Sequence, residues 1–294
     1  MALALALGAC SARQLAVDRI GDAIAQSGGV FATDDDPELI RAAAPFSLKL
    51  IESLLAESPR HKGLLLAAAR GFTQYAYAFV QQEAEELEER DLARALILEG
   101  RARRFYRRAR DYGVRGLAPT TGSDLVQQLR ADPRQAVRAF STADVPLLYW
   151  TGASWGALIA LSKTDPEALS DVPVVEALLD RSLELDEAFE RGAIHTLLIG
   201  YEPVRKGRTG DPMARAREHF ARAQQLSGGA DAAPLVALAE SVCVPQQRRA
   251  EFEALLREAL RIDPDLVPES RLANVLAQRR ARWLLSRIDN LFIE

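Results

Sequence analysis

Cysteine is nearly missing from this chain, two in 294 residues, and histidine is scarce, with three. Cys243 lies in an apolar helical stretch and reads as a small buried hydrophobe. His61, His195 and His219 are widely separated, and none has a second ligand three or four residues away, which argues against a metal site. Nowhere past the N-terminus is there a run of about twenty apolar residues, so no spanning helix is expected. Net positive charge is lacking too: a formal charge of -4 and a pI near 5.6 argue against nucleic acid as a partner, because phosphate binding needs a basic surface. The catalytic fingerprints are absent as well. No Gly-x-Ser-x-Gly or dinucleotide motif occurs, and the loop from Gly207 to Gly210 has no Gly-Lys-Ser/Thr ending. Asp34-Asp35-Asp36 lacks the glycine and final glutamate of a calcium loop and reads as a helix cap. Glu83, Glu85, Glu86, Glu88 and Glu89 face a run of Arg101, Arg103, Arg104, Arg107, Arg108 and Arg110, which reads as opposed charged faces of a solvated hairpin. No enzyme and no cofactor is expected.

What is present is helix. Three trios, Ala102/Tyr106/Ala109, Ala216/Phe220/Ala223 and Phe252/Leu256/Ala259, space their members by four and three and so put each trio on one helix face. Small residues let a neighbouring helix approach while the larger one fills the gap, the device by which stacked helical hairpins bury a continuous core. Helix starts are written as Asp36-Pro37-Glu38, Asp132-Pro133, Asp165-Pro166 and Asp211-Pro212, while Asp263-Pro264 marks a turn. Gly28-Gly29 is expected to end a first helix, Ser58-Pro59 to end the second, and Gly113 to close a long helix begun near Asp91, after another from Lys62 to Glu89. Strand signals do not recur.

The C-terminal half carries a degenerate hairpin repeat. Its first helices begin near Trp155, Ile194 and Val236, 39 and 42 residues apart, against about 34 for a tetratricopeptide repeat. Polar loops such as Glu202 to Gly210 absorb the excess. The expected fold is therefore all-α: stacked helical hairpins, degenerate tetratricopeptide-like repeats in an α-solenoid-like stack, forming one domain over 11–294.

Residues 1–10 stand apart. Leu7-Gly8-Ala9-Cys10 resembles the lipobox of bacterial lipoproteins, in which the cysteine is acylated after cleavage, although the leader is short and has no basic n-region. Either the true start lies further upstream or the segment is an apolar stub. Acylation of Cys10 would tether the body to a membrane outside the cytoplasm.

Two stretches carry a more specific likeness. Thr33-Asp34-Asp35-Asp36-Pro37-Glu38-Leu39, with Pro45-Phe46, Leu50 to Leu55 and Gly71 to Gln81, is one; Pro146 to Gly156, reading PLLYWTGASWG, is the other. Together with Arg110-Asp111-Tyr112-Gly113 they resemble the TRAP transporter T-component family, TatT, over nearly the whole chain. The resemblance implies a periplasmic, tetratricopeptide-like lipoprotein that assembles as a homotrimer. It also implies association with the substrate-binding P component of a tripartite ATP-independent periplasmic transporter. A pore through each protomer would pass or buffer an apolar small ligand, and the membrane is met through the lipid anchor alone.

The residues themselves leave two readings open. Tyr75, Tyr77 and Phe79 recur every second position and cannot share one helix face; Gly152 and Gly156, one turn apart, leave a bare face flanked by Tyr149, Trp150 and Trp155. Either this is close helix packing with core aromatics, or these eight residues line a pore. At the level of function the alternatives are a lipid-anchored scaffold for an envelope complex with no small-molecule ligand, and an enzyme using the acidic helix. The latter would need perturbed carboxylates converging in a cleft.

Overall fold

The computed structural model describes residues 18–24, 28–121 and 124–293, and these are all-α. They divide into two compact units, one formed by the described residues up to Gly28 with Glu38–Leu185, the other by Gly29–Pro37 with Asp186 onward.

In the first unit the main helices are α1 (Pro37–Glu57), α2 (Lys62–Tyr75), α3 (Gln82–Leu87), α4 (Leu92–Thr121), α5 (Leu125–Ala131), α6 (Val145–Ala160) and α7 (Val172–Leu185). Between α2 and α3 the chain winds one wider π turn, Ala76–Gln81, so that α2, π turn and α3 form one continuous rod. A short connection then reverses the chain into α4 and makes a hairpin. Helix α6 packs on α2, α4 and α7, and its buried residues run from Val145 through Tyr149, Trp150 and Trp155 to Ile159. A helix buried on nearly every side is a central one. That position explains why the Pro146 to Gly156 segment carries aromatics and glycines instead of charge.

Gly113 does not close α4, which runs to Thr121. Here the glycine is required by a close approach: a Cβ built on Gly113 would lie 2.1 Å from Thr151 Oγ1 and 3.3 Å from the Thr151 Cα, and one on Gly116 would lie 2.7 Å from Leu147 Cδ2. Ala102, Tyr106 and Ala109 are buried on that side of α4, as their spacing predicts.

The second unit contains α8 (Ala193–Tyr201), α9 (Pro212–Ser227), α10 (Ala233–Leu238), α11 (Arg249–Arg261) and α12 (Arg271–Ser286), with a second π turn at Ala239–Cys243. Pairs α8/α9, α10/α11 and α11/α12 pack against one another. Phe252, Leu256 and Ala259 are fully buried, Phe220 of the middle trio is half-buried beside buried Ala216 and Ala223, and Cys243 lies in the same core. Burial pushes the Cys243 thiol up to about 11, as befits an inert apolar group. The N-terminal piece is tied on by Arg271, which donates to Thr33 O at 3.0 Å.

Aspartate–proline starts behave as their chemistry dictates. Asp132 accepts from Gln135 N, Asp165 from Glu167 N and Ala168 N, and Asp211 from Met213 N, each with proline at the next position where no backbone donor is needed. Helix α1 begins at Pro37 and ends at Glu57 before Ser58-Pro59. Gly28 and Gly29 fall instead at the start of a short helix, Gly28–Ala32.

Candidate functional site

The aromatic residues singled out from sequence gather in the first unit, around the π turn and α6. Tyr75 and Phe79 are buried, while Tyr77 is 50% exposed, so the alternation splits into two inward rings and one outward ring. Tyr75 stands 5.6 Å from Phe79 and 5.8 Å from Phe105 of α4, and Phe72 stands 5.8 Å from Phe105 and 6.0 Å from Tyr112, giving one continuous ring cluster between α2 and α4. Tyr149 and Trp150 form a second pair at 4.9 Å, and Arg70 of α2 lies over the Trp150 ring. Trp155 is buried with Arg110 over its face at 5.3 Å.

The π turn is held from two sides. Arg41 of α1 donates to Phe79 O at 3.4 Å, lies over the Phe79 ring and pairs with Glu83 at 3.0 Å. On the other side the buried Tyr106 hydroxyl donates to Gln81 Oε1 at 2.6 Å, and burial pushes that phenol well above its usual range. Single π turns inside helices recur at functional sites because the inserted residue re-aims side chains. Here the turn directs Tyr77 outward between two buried rings.

Gly152 and Gly156 face α7. A Cβ on Gly152 would meet Leu179 at 3.0 Å and Leu178 at 3.4 Å; one on Gly156 would meet Val175 Cγ1 at 3.3 Å. Gly156→Leu should therefore destabilise by about 1–3 kcal/mol through overpacking against Val175. Urea midpoints check this, and an unchanged midpoint would mean that the α6/α7 seam has room to spare. Cys10 lies outside the described residues.

Acidic and basic runs divide differently from the simple hairpin expectation. Glu83 pairs with Arg41 and with Arg94, at 2.8 Å, and Arg101 and Arg108 lie over Phe105 and Phe72. Arg108 also sits 3.6 Å from Glu52.

One pair has no signal in the sequence. His195 Nδ1 of α8 and His219 Nδ1 of α9 are 2.8 Å apart, and His195 Nε2 is 3.5 Å from Glu187. The two residues are 24 positions apart and no local spacing announces them, because the hairpin brings them together. Since the carboxylate is on the far nitrogen of His195, the trio does not converge on one point as metal ligands would. His61 is structural, its Nδ1 accepting from Leu64 N at the start of α2.

Burial first, then the charge of His195, lowers the His219 pKa to about 4; burial also lowers that of His195 against the pull of Glu187. In the unfolded chain both imidazoles take a proton near 6.5, so between 6.5 and 4 the unfolded state binds more protons than the folded one. Stability is complete above that window and falls as pH drops through it, by about 1–2 kcal/mol for His219 after discounting for its contact with water. Thermal midpoints from about pH 7 to about pH 4.5 check this. His219→Gln should flatten the slope, and an equal slope in both proteins would contradict the assignment.

No helix among the described residues is long and apolar enough to cross a membrane. The model of the family described as TRAP transporter T-component matches residues 33–292. An uncharacterized protein of Treponema pallidum (strain Nichols) is 30% identical over 268 residues, spanning 90% of this chain and 83% of that one. With the match running from the segment before α1 past the end of α12, this chain belongs to the TRAP transporter T-component family.

Proposed function

We propose that this chain is the accessory component of a tripartite ATP-independent periplasmic transporter, docking its solute-binding P component and passing or buffering an apolar small ligand. In this reading Cys10 is acylated, the body stands outside the cytoplasm on that anchor, the hairpins are degenerate tetratricopeptide-like repeats, and the protein is a homotrimer. The observation that carries it is the family match over residues 33–292. The aromatic cluster at the π turn supports it: Tyr75 and Phe79 pack with Phe105 as a buried apolar backing, and Tyr77 presents a half-exposed ring at its edge. Tyr149, Trp150 and Trp155 on α6 complete the candidate lining, while Gly152 and Gly156 serve the close approach of α7.

The test is binding of N-phenyl-1-naphthylamine, a neutral apolar dye that brightens when it leaves water. The wild-type protein should brighten it saturably, and Tyr77→Asp, a change at an exposed position, should weaken the effect at least about fivefold, or about 1 kcal/mol. Absence of any response in a wild-type protein that still docks the P component would favour the scaffold without a ligand.

A further inference from the structure

A cavity of about 360 Å³ opens between α4, α5 and α6 of the first unit, away from the π turn, and its walls are chemically unequal. Its apolar side is Val114 of α4, Val126 of α5 and the buried Trp155 of α6. Its polar side is three guanidinium groups, Arg110, Arg115 and Arg130, with one carboxylate, Asp111.

The charges do not cancel. Arg110 is paired with Asp111 at 2.7 Å while its guanidinium lies over Trp155. Arg130 makes a two-pronged bond to the buried Asp171, at 2.8 and 2.9 Å. Arg115 makes no ion pair among the described residues: it donates to the carbonyl of Pro59 at 2.9 Å and lies over the Tyr112 ring. Three positive groups against two carboxylates leave one uncompensated charge, beside an apolar wall, in a space at the lower end of small-molecule sites. A guanidinium with spare donors recognises a carboxylate by its planar fork, and two valines beside the edge of an indole whose face Arg110 covers give a small hydrocarbon body an apolar wall.

We infer that this cavity binds an amphipathic monoanion, its apolar body against Trp155, Val114 and Val126 and its anionic group on Arg115. The inference rests on the ligand-handling part of the proposed function and gives it a second ligand class at a place that shares Trp155 with the candidate lining.

Calorimetric titration of the intact protein with 4-phenylbutyrate and with its neutral amide tests this, with intrinsic tryptophan fluorescence, to which Trp155 contributes, as a second readout. The acid should bind at least about tenfold tighter than the amide. Arg115→Gln, at an exposed position, should remove that preference and leave amide binding unchanged, while Val126→Glu, which sets a carboxylate inside the cavity, should abolish binding of the acid. Equal affinities for acid and amide, indifference to Arg115→Gln, or no binding by a folded wild-type protein would each overturn the inference. Docking of the P component, measured on the same samples, separates its failure from that of the proposed function. A protein that docks but ignores 4-phenylbutyrate overturns the cavity assignment alone.

Discussion

Glu202→Ala should destabilise the second unit by about 3–5 kcal/mol, the cost of breaking a buried ion pair by removing its carboxylate. Glu202 is buried at the end of α8, where one carboxylate oxygen meets Arg205 at 3.1 Å and the other meets Arg215 at 2.5 Å. Burial alone raises the Glu202 pKa, but the hydrogen bonds of Arg215 and Arg205 outweigh it and hold the carboxyl below its usual range. Its contribution is accordingly present above the normal carboxylate range and lost as pH falls through the lowered value. Arg205, buried against Tyr201, still meets the Glu202 carboxylate when Arg215 is replaced, and Arg215 itself also donates to Thr209 O and Gly210 O. Arg215→Gln should therefore cost less than Glu202→Ala. Hydrogen exchange localises the effect: amides of α8 and α9 should lose protection while those of α4 and α6 keep theirs. A loss under about 1 kcal/mol would show that water reaches the site and that the pair behaves as a surface bridge.

Gly113→Ala should cost about 2–3 kcal/mol even though alanine is the better helix former by about 1 kcal/mol. Sterics win because the new methyl meets Thr151 at three atoms, Oγ1 at 2.1 Å, Cβ at 3.0 Å and Cα at 3.3 Å, and a side-chain rotation relieves the first alone. Thr151 is itself committed, its hydroxyl donating to Leu147 O at 2.6 Å inside the buried face of α6. In the Gly113→Ala background, Thr151→Ala should recover about half of the loss, a coupling visible in a double-mutant cycle. Gly113→Leu should yield no soluble folded protein. If Gly113→Ala were instead stabilising, α4 and α6 would have to separate freely, and α6 could not be the packed centre of its unit.

Much of the fold can be read from local chemistry. The aspartate–proline caps at 132, 165 and 211 start helices because their meaning is contained in three residues. The trios around Tyr106 and Leu256 predict buried faces because helical spacing alone aligns them. Gly113 shows where this fails: a glycine after an aromatic marks a helix end as readily as a crossing, and the residue that decides, Thr151, is far along the chain on α6. The π turn leaves no signature, since one extra residue in a helical rod leaves composition unchanged and alters the period over a single turn, too short a stretch for a pattern to register. For the same reason Tyr77 cannot be told from Tyr75 and Phe79 by spacing. The histidine pair and the cavity depend on hairpin closure. Trp155 stands out in the sequence as a candidate, but Arg110 reads there as one more solvated charge, and Arg115 and Arg130 carry no signal until three helices bring them together.

Titration calorimetry with the purified P components of the organism that makes this chain is the direct measurement of the proposed docking. Saturable binding of one of them, with Kd of about 10 μM or tighter, is the predicted result. No heat and no co-elution with any of them at about 100 μM would contradict it.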